Sequence, residues 1–503
     1  MSAIPTVGPE PTIYELSQAG RIGVNLPKLD VPETEALPSD LLRDELTMPE
    51  VSELEVVRHF VRLSQKNYSI DKGFYPLGSC TMKYNPKINE DVARYAGFAA
   101  LHPLTDEAGS QGALAVMWQL QEWLREVSGF HAVSLHPAAG AHGEFAGILM
   151  IRKYHLDRGE TSRTKILIPN SAHGTNPATV TMAGMTVIDL PADKNGDVDL
   201  DALKAICEGP ERENIAGMMI TVPNTLGLFE RGILKIIEMV HGAGGLMYVD
   251  GANMNALMGI VKPGALGFDV MHYNLHKTFS TPHGGGGPGC GAVGVNEKLA
   301  PFLPAPHVVV KEAADDENDA PLYGFATPEK SIGRLKAFHG NFGMHTRAYA
   351  YIRAYGGDGL HEVSRHAVLN ANYVRASLSS TYHVPYDRAC GHEFVLEGHF
   401  EGVDSVHALD ISKRLMDYGF HPPTNYFPLI VPEALLIEPT ETETKETLDQ
   451  FIDAMKKIAE EAKENPELLT SAPHITPVSR LDEVRAAKQL VLCCAPVMQP
   501  AEA

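Results

Sequence analysis

LMYVDGANMNALMGIVKPGALGFDVMHYNLHKTFSTPHGGGG (Leu246–Gly287) carries the plainest pattern in the chain. It holds two apolar, strand-like runs, Leu246–Val249 and Val270–Tyr273, and each closes on polar residues: Asp250 after the first, His276 and Lys277 after the second. Outward from it the same alternation continues from about Phe130 to Asn296. AVSLHP precedes a helix expected from Gly143, KILIP and MTVIDL follow, GMMITVP precedes a helix around Ile233–Val240, and GAVGV closes the series. Short β-branched or apolar runs alternating with helical segments predict a largely parallel, doubly wound α/β sheet. In such sheets ligands sit at the carboxyl ends of the strands, so polar residues directly after a strand carry the functional weight.

The flanks read differently. The first hundred residues are rich in Pro and charge; the spacing of Val51, Leu54, Val57, Phe60 and Leu63 predicts an amphipathic helix there, and a second helix is expected over Thr105–Glu126. After the Pro-rich FLPAPHVVV comes an acidic, exposed segment (Lys311–Asp319) and then a helix-prone stretch from Ser331 to Tyr355. Beyond about Tyr373, EFVLEG and LLIEPT read as strands, while SVHALDISKRLMDYG and the run from Lys445 to about Asn465 read as helices. This is a small α+β domain. The expected division is an arm over 1–104, a large α/β domain over 105–345, the α+β domain over 346–490 and a loose tail over 491–503.

The chain has 503 residues, 44% apolar and 21% charged, with a formal net charge of −21. That balance argues against a nucleic-acid or anionic-membrane partner, because both require a cationic footprint. The six cysteines (Cys80, Cys207, Cys290, Cys390, Cys493 and Cys494) form no CxxC pair, which fits free thiols in a reducing compartment. The opening residues lack the pattern of a secretory or transit segment and no apolar run is long enough to span a bilayer, so a cytoplasmic enzyme is expected.

Four features after strands carry the chemistry. In LHPAAGAHGEFAG, a small-residue turn (Ala138–Ala141) leads into a helix whose bare N–H groups suit a phosphate dianion, although many strand-to-helix turns use Ala and Gly. In PNSAHGTNPAT, His173 could stack on a flat aromatic ring or be a solvated loop histidine. Asp250 is either a capping residue or the partner of a buried cation such as a protonated pyridine nitrogen. Lys277, followed by Gly284–Gly287, is either a surface loop lysine or an amine nucleophile toward an aldehyde. The lysine precedes the glycines, which excludes a Walker P-loop. No metal site is expected from His272, His276, His283 and Cys290: His272 and His276 are four apart, but at a strand end rather than on a helix face.

Phosphate turn, ring, aspartate and then lysine about 27 residues on is an order that resembles the fold-type-I pyridoxal-phosphate enzymes, the aspartate-aminotransferase superfamily. Longer strings narrow the resemblance. GFYPLGSCTMKYNP (Gly73–Pro86), HPAAGAHGEFAG (His136–Gly147), IPNSAHGTNPAT (Ile168–Thr179), PNTLGLFE (Pro223–Glu230), VDGANMNA (Val249–Ala256), NLHKTFSTPHGGGGPG (Asn274–Gly289), KAFHGNFG (Lys336–Gly343) and Asp417–Asp449 are similar to glycine dehydrogenase (decarboxylating), the P-protein family of the glycine cleavage system. The resemblance covers about Glu15 to Ala487 and is to the C-terminal half of single-chain members, which in split systems is a separate, second subunit.

That resemblance implies pyridoxal 5′-phosphate held as a Schiff base on Lys277, with Asp250 at the ring nitrogen and His173 stacked on the ring. It implies Ala139, Gly140, Ala141, His276 and Thr278 around the phosphate, Ala252 beside the cofactor, and Thr225 at the phenolic oxygen. Ser79, Cys80, Thr81 and Lys83 are the expected substrate-end residues, or else an inter-subunit arm. The implied substrate is glycine. The implied partners are a subunit 1, in a heterotetramer with two copies of each subunit, and a lipoylated H-protein that accepts the aminomethyl group. His142 stands where many members have Gln, His339 where Tyr is usual and Tyr84 where single-chain members often have Leu. Two other readings stay open at this level, a fold-type-I lyase for another amino acid and a non-catalytic scaffold subunit.

Overall fold

The computed structural model describes residues 10–32, 37–43, 46, 48–283, 289–314 and 320–490. It divides into two compact units, residues 1–73 with 471–503, and Phe74–Thr470. In the first, the expected amphipathic helix runs Glu53–Lys66. A capping box starts it: the Ser52 hydroxyl accepts the Glu55 N–H, and the Glu55 carboxylate accepts the Ser52 N–H at 2.9 Å. The tail after Leu490 lies outside the described residues, as do Cys493 and Cys494.

The second unit is built on a seven-stranded sheet: β1 (Ala132–Ser134), β2 (Lys165–Pro169), β3 (Thr186–Leu190), β4 (Ile215–Thr221), β5 (Leu246–Gly251), β6 (Val270–Asn274) and β7 (Gly291–Val295). Their order is β1-β7-β6-β5-β4-β2-β3, with only β7 running antiparallel to its neighbours. Met218, Met247, Val249 and Met271 are fully buried. Helices cover both faces of a parallel sheet, so its strands read as continuous apolar runs without alternation. Every strand expected between Phe130 and Asn296 is present. Register brings Thr221 opposite Asp250, and Asp250 opposite His272, so three polar side chains lie side by side across the central strands.

The long helix expected from Ser331 instead spans Phe342–Leu378, with a break at Gly356. Two glycines cause the delay: Gly333 and Gly340 sit at φ +92° and +86°, a left-handed backbone that helix cannot continue through. The helix expected from Gly143 opens three residues earlier, at Gly140. A hairpin of β8 (His307–Glu312) and β9 (Leu322–Ala326) occupies the stretch read as a Pro-rich link and acidic loop, and residues 315–319 of that loop lie outside the described residues.

Beyond it, β10 (Phe394–Glu397), β11 (Thr424–Asn425) and β12 (Ala434–Ile437) form an antiparallel sheet in the order β10-β12-β11. The helix Lys445–Glu464 buries Leu448, Phe451, Ile452, Met455 and Ile458 against it, a stripe at helical spacing. Each such side chain contributes roughly 1.5–3 kcal/mol when fully buried. Among the described residues no helix is long and apolar enough to cross a membrane, and the four described cysteines are free thiols.

Candidate active site

The carboxyl ends of the central strands surround a cavity of about 490 Å³. After β6 the chain turns back on itself: the Lys277 N–H donates to the Asn274 carbonyl at 3.0 Å, and the Ser280 N–H to the Lys277 carbonyl at 3.1 Å. This turn brings Lys277, half-buried, to the cavity wall together with His276. Burial pushes the His276 imidazole down to about 4, with the Lys277 charge acting in the same direction, so it is neutral. The glycine run Gly284–Gly287 lies outside the described residues; His283 and Gly289 on either side of it line the cavity.

Asp250 ends β5 and is almost fully buried. Burial alone would raise its pKa, but His272, the Ala252 N–H, Lys277 and His173 outweigh burial and hold the carboxyl below its ordinary value. The Ala252 N–H donates to Oδ1 at 3.0 Å, and His272 Nε2 lies 3.4 Å from the same oxygen. Burial keeps the His272 imidazole from charging, and Tyr248 and His272 Nδ1 are 2.6 Å apart. Asp250 is therefore a buried anion on the cavity wall, the environment that a protonated ring nitrogen complements.

At the far side, the helix Gly140–Asp157 points its N-terminus at the same space. Ala139 is extended and no side chain caps the first turn at the N-cap position, so backbone N–H groups and the positive end of the helix are available to an anion. A Cβ at Gly140 would meet Asn274 Oδ1 at 2.1 Å, so only glycine lets the turn lie this close to β6. His142, the departure from the family pattern, accepts the Ala138 N–H on Nδ1 at 3.1 Å and withdraws that donor from the cradle.

Buried polar atoms without partners among the described residues line the same cavity. Asn274 Oδ1, Thr221 Oγ1 and both ring nitrogens of His392 are buried with no hydrogen-bond partner, and all three residues line the cavity. An anion cradle, a strand-end carboxylate, a lysine amine and unsatisfied polar atoms between them match the phosphate, ring nitrogen, aldehyde and ring substituents of pyridoxal 5′-phosphate. His173 lines the cavity, its ring 5.3 Å from that of Phe427. Thr225 also lines it, although its hydroxyl proton is directed to the Ser171 carbonyl.

Ser79 and Cys80 reach the cavity; Thr81, Lys83 and Thr278 do not line it. Thr278 is buried behind the wall, accepting the Met254 N–H at 2.8 Å and donating to Asn253 Oδ1 at 3.3 Å. Thr81 gives its N–H and hydroxyl to Glu438 at 3.1 and 2.7 Å. Lys83 is buried in an ion pair with Glu441 at 2.6 Å and reaches the Tyr351 hydroxyl at 2.9 Å. Removing one member of such a pair strands the other charge, so Lys83→Met is expected to lower the unfolding free energy by about 3–5 kcal/mol. Urea unfolding measures this, and a loss below about 1 kcal/mol would show that the pair is not buried in solution.

Sequence reasoning missed Glu144, His392, Glu393 and Glu438. Glu393 lines the cavity and accepts the Ser79 N–H at 2.6 Å; Glu438 accepts from Thr81 and from Asn253 Nδ2 at 3.0 and 3.1 Å. Burial and their mutual charge push Glu393 up to about 8, and burial pushes Glu438 up to about 7. A carboxyl raised above its ordinary 4.5 contributes stability below that value and loses it as pH rises through the folded pKa. The urea midpoint is expected to fall between pH 5 and pH 8, and less steeply in Glu393→Gln. Equal slopes for the two proteins would exclude this linkage.

Two triads, Glu144–Asp250–His272 and His392–Glu393–Glu438, bring ligand-type atoms within 4.8 Å. Their carboxylates are already engaged by Thr175, Thr179, Ala252, Ser79, Thr81 and Asn253.

The fold and site define a pyridoxal-phosphate enzyme of fold type I. The crystal structure of glycine decarboxylase (P-protein) of the glycine cleavage system, in inhibitor-bound form, shares this fold with a TM-score of 0.69 at 21% identity, covering 84% of this chain and 93% of that one. Residues 363–474 match the model of the glycine dehydrogenase C-terminal domain. The probable glycine dehydrogenase (decarboxylating) subunit 2 of Caldanaerobacter subterraneus subsp. tengcongensis is 56% identical over 485 residues, covering 95% of this chain and 98% of that one. The protein of the same description from Bacillus velezensis is 54% identical over 484 residues, covering 95% and 96%. The chain belongs to the glycine dehydrogenase (decarboxylating) subunit 2 family.

Proposed function

We propose that this chain decarboxylates glycine with pyridoxal 5′-phosphate attached to Lys277 and passes the aminomethyl group to the lipoyl arm of an H-protein. It works with a different chain, subunit 1, two of each in the assembly, in the cytoplasm. Family membership supports the reaction. The observation that carries the assignment to residues is the single cavity bounded by Lys277, Asp250 and the open helix N-terminus at Gly140. The separate cores beneath the seven-stranded and three-stranded sheets support a large and a small domain, with the change falling between Val363 and Ala371 inside the helix Phe342–Leu378, later than residue 345.

When bound, the cofactor supplies a cationic ring that accepts the electron pair left on the substrate carbon as carbon dioxide departs. Lys277 Nζ would provide the attachment point, an amine nucleophile at the cavity wall. Asp250 holds a proton on the ring nitrogen, and its buried, ionised state makes that hold strong. The first-turn N–H groups of Gly140 and Ala141 fix the phosphate, while His173 offers its ring as a lateral support. Thr225, its proton committed to Ser171, presents an acceptor oxygen, and Ser79, Cys80 and Glu393 border the substrate end.

Glycine-dependent exchange of labelled bicarbonate, measured with subunit 1 and H-protein present, tests this reading. Exchange with glycine alone among the amino acids is expected. Decarboxylation of a larger amino acid instead would transfer the chain to another fold-type-I lyase activity, and no turnover together with no bound cofactor would favour a scaffold subunit.

A further inference from the structure

Glu144 lies on the sheet-facing side of the helix Gly140–Asp157 and is buried. Its Oε1 is 2.8 Å from Thr175 Oγ1, and its Oε2 is 3.2 Å from Thr179 Oγ1. The same Thr175 Oγ1 is 3.0 Å from His173 Nδ1, and the Thr175 N–H points at that nitrogen from 3.3 Å. A threonine hydroxyl has one proton to give, so Thr175 donates either to Glu144 or to His173, and the protonation state of Glu144 decides which.

With Glu144 ionised, the Thr175 hydroxyl donates to the carboxylate. Its oxygen then has only lone pairs for His173, so the imidazole donates from Nδ1 and leaves Nε2 bare. With Glu144 protonated, the acid donates to Thr175 Oγ1, the freed hydroxyl proton turns to Nδ1, and the Thr175 N–H joins it. The imidazole proton then resides on Nε2. Going from the first state to the second, Glu144 gains one proton from solvent while His173 loses the Nδ1 proton and gains one at Nε2, so the ring stays neutral throughout. Burial, which lowers the His173 pKa, favours that neutrality. His173 lines the cavity, and its Nε2 makes no hydrogen bond to the described residues of the protein.

We propose that Glu144 acts through Thr175 to set which nitrogen of His173 carries its proton, so that the cavity meets Nε2 as an acceptor in one state and a donor in the other. Glu144 is a positioning residue in this scheme, one hydroxyl removed from the ring that faces the cofactor.

The surroundings tune the switch. Glu144 is faced by Asp250 and Tyr248 from β5, by His272 Nε2 at 4.0 Å from β6, by Lys277 beyond β6, and by Thr175 and Thr179 from the helix Thr175–Met182. His173 is faced by Asp250, Lys277 and the ring of Phe427. Burial and the Asp250 charge push Glu144 up to about 7, against the threonine hydrogen bonds and Lys277. The exchange of tautomers therefore falls near neutral pH.

The test is ¹⁵N NMR of the full chain carrying ring-labelled histidine, with the His173 signals assigned by their loss in His173→Gln. The wild-type ring is expected to pass from the Nδ1–H pattern above about pH 7 to the Nε2–H pattern below it. Thr175→Ser keeps this transition, Glu144→Gln and Thr175→Val abolish it, and Asp250→Asn moves it to lower pH. A single tautomer from pH 5.5 to 8.5 in the wild type would overturn the proposal. So would a transition that persists in Thr175→Val, the variant to rely on if Glu144→Gln does not fold. The readout needs no turnover, so failure here leaves the glycine reading standing, and failure of glycine exchange leaves the relay standing.

Discussion

Lys277→Ala is expected to abolish both the visible absorbance of the attached cofactor and glycine-dependent exchange, a loss of about 10⁴-fold or more, on the scale of removing a covalent nucleophile. The variant also deletes a cation that acts on Asp250, Glu144, Glu393 and Glu438. Lys277→Arg separates the two effects, since it keeps a positive charge at the turn after β6 but has no amine able to form the bond. Both variants should be equally inactive in the presence of subunit 1 and H-protein. Activity in either would remove Lys277 from the chemistry and leave it a structural charge.

Asp250→Asn is expected to lower kcat by about 10²–10³-fold, the scale on which a single charge-stabilising group acts. The amide keeps an oxygen for the Ala252 N–H, which now reaches Oδ1 at 3.0 Å, so the end of β5 should hold its shape. What the substitution removes is the buried anion, and with it the preference for a protonated ring nitrogen. The cofactor should remain attached to Lys277, which makes the expected outcome a coloured, folded and slow enzyme. Near-normal turnover would mean that another group holds the ring proton; loss of colour would mean that Asp250 serves mainly to retain the cofactor.

The sheet was legible because its strands are buried on both faces and therefore written as unbroken apolar runs. The rule that polar residues after such strands matter led directly to Asp250, Lys277 and His173. The same rule, applied to LLIEPT, would have marked Glu438 after β12, whereas Glu393 precedes β10 and falls outside it. What sequence could not supply is that these two strand ends meet Ser79 and Thr81, 314 and 357 residues away in the chain. Neighbours of the correct residues were also over-read. Thr278 adjoins Lys277, but its hydroxyl is taken up by Asn253 and the Met254 N–H. Lys83 shares a segment with Ser79 and Cys80, yet Glu441 holds it in the protein interior. Glu144 stood inside the quoted motif as a carboxylate among small and apolar helix residues. Its partners on the helix Thr175–Met182 become visible only when the two helices are side by side.

The most direct measurement is borohydride reduction of the purified chain, in complex with its subunit 1, followed by mass mapping of the peptides. A single pyridoxyl adduct on Lys277 is expected. An adduct on any other lysine, or a cofactor that dissociates unreduced from a folded and active complex, would contradict it.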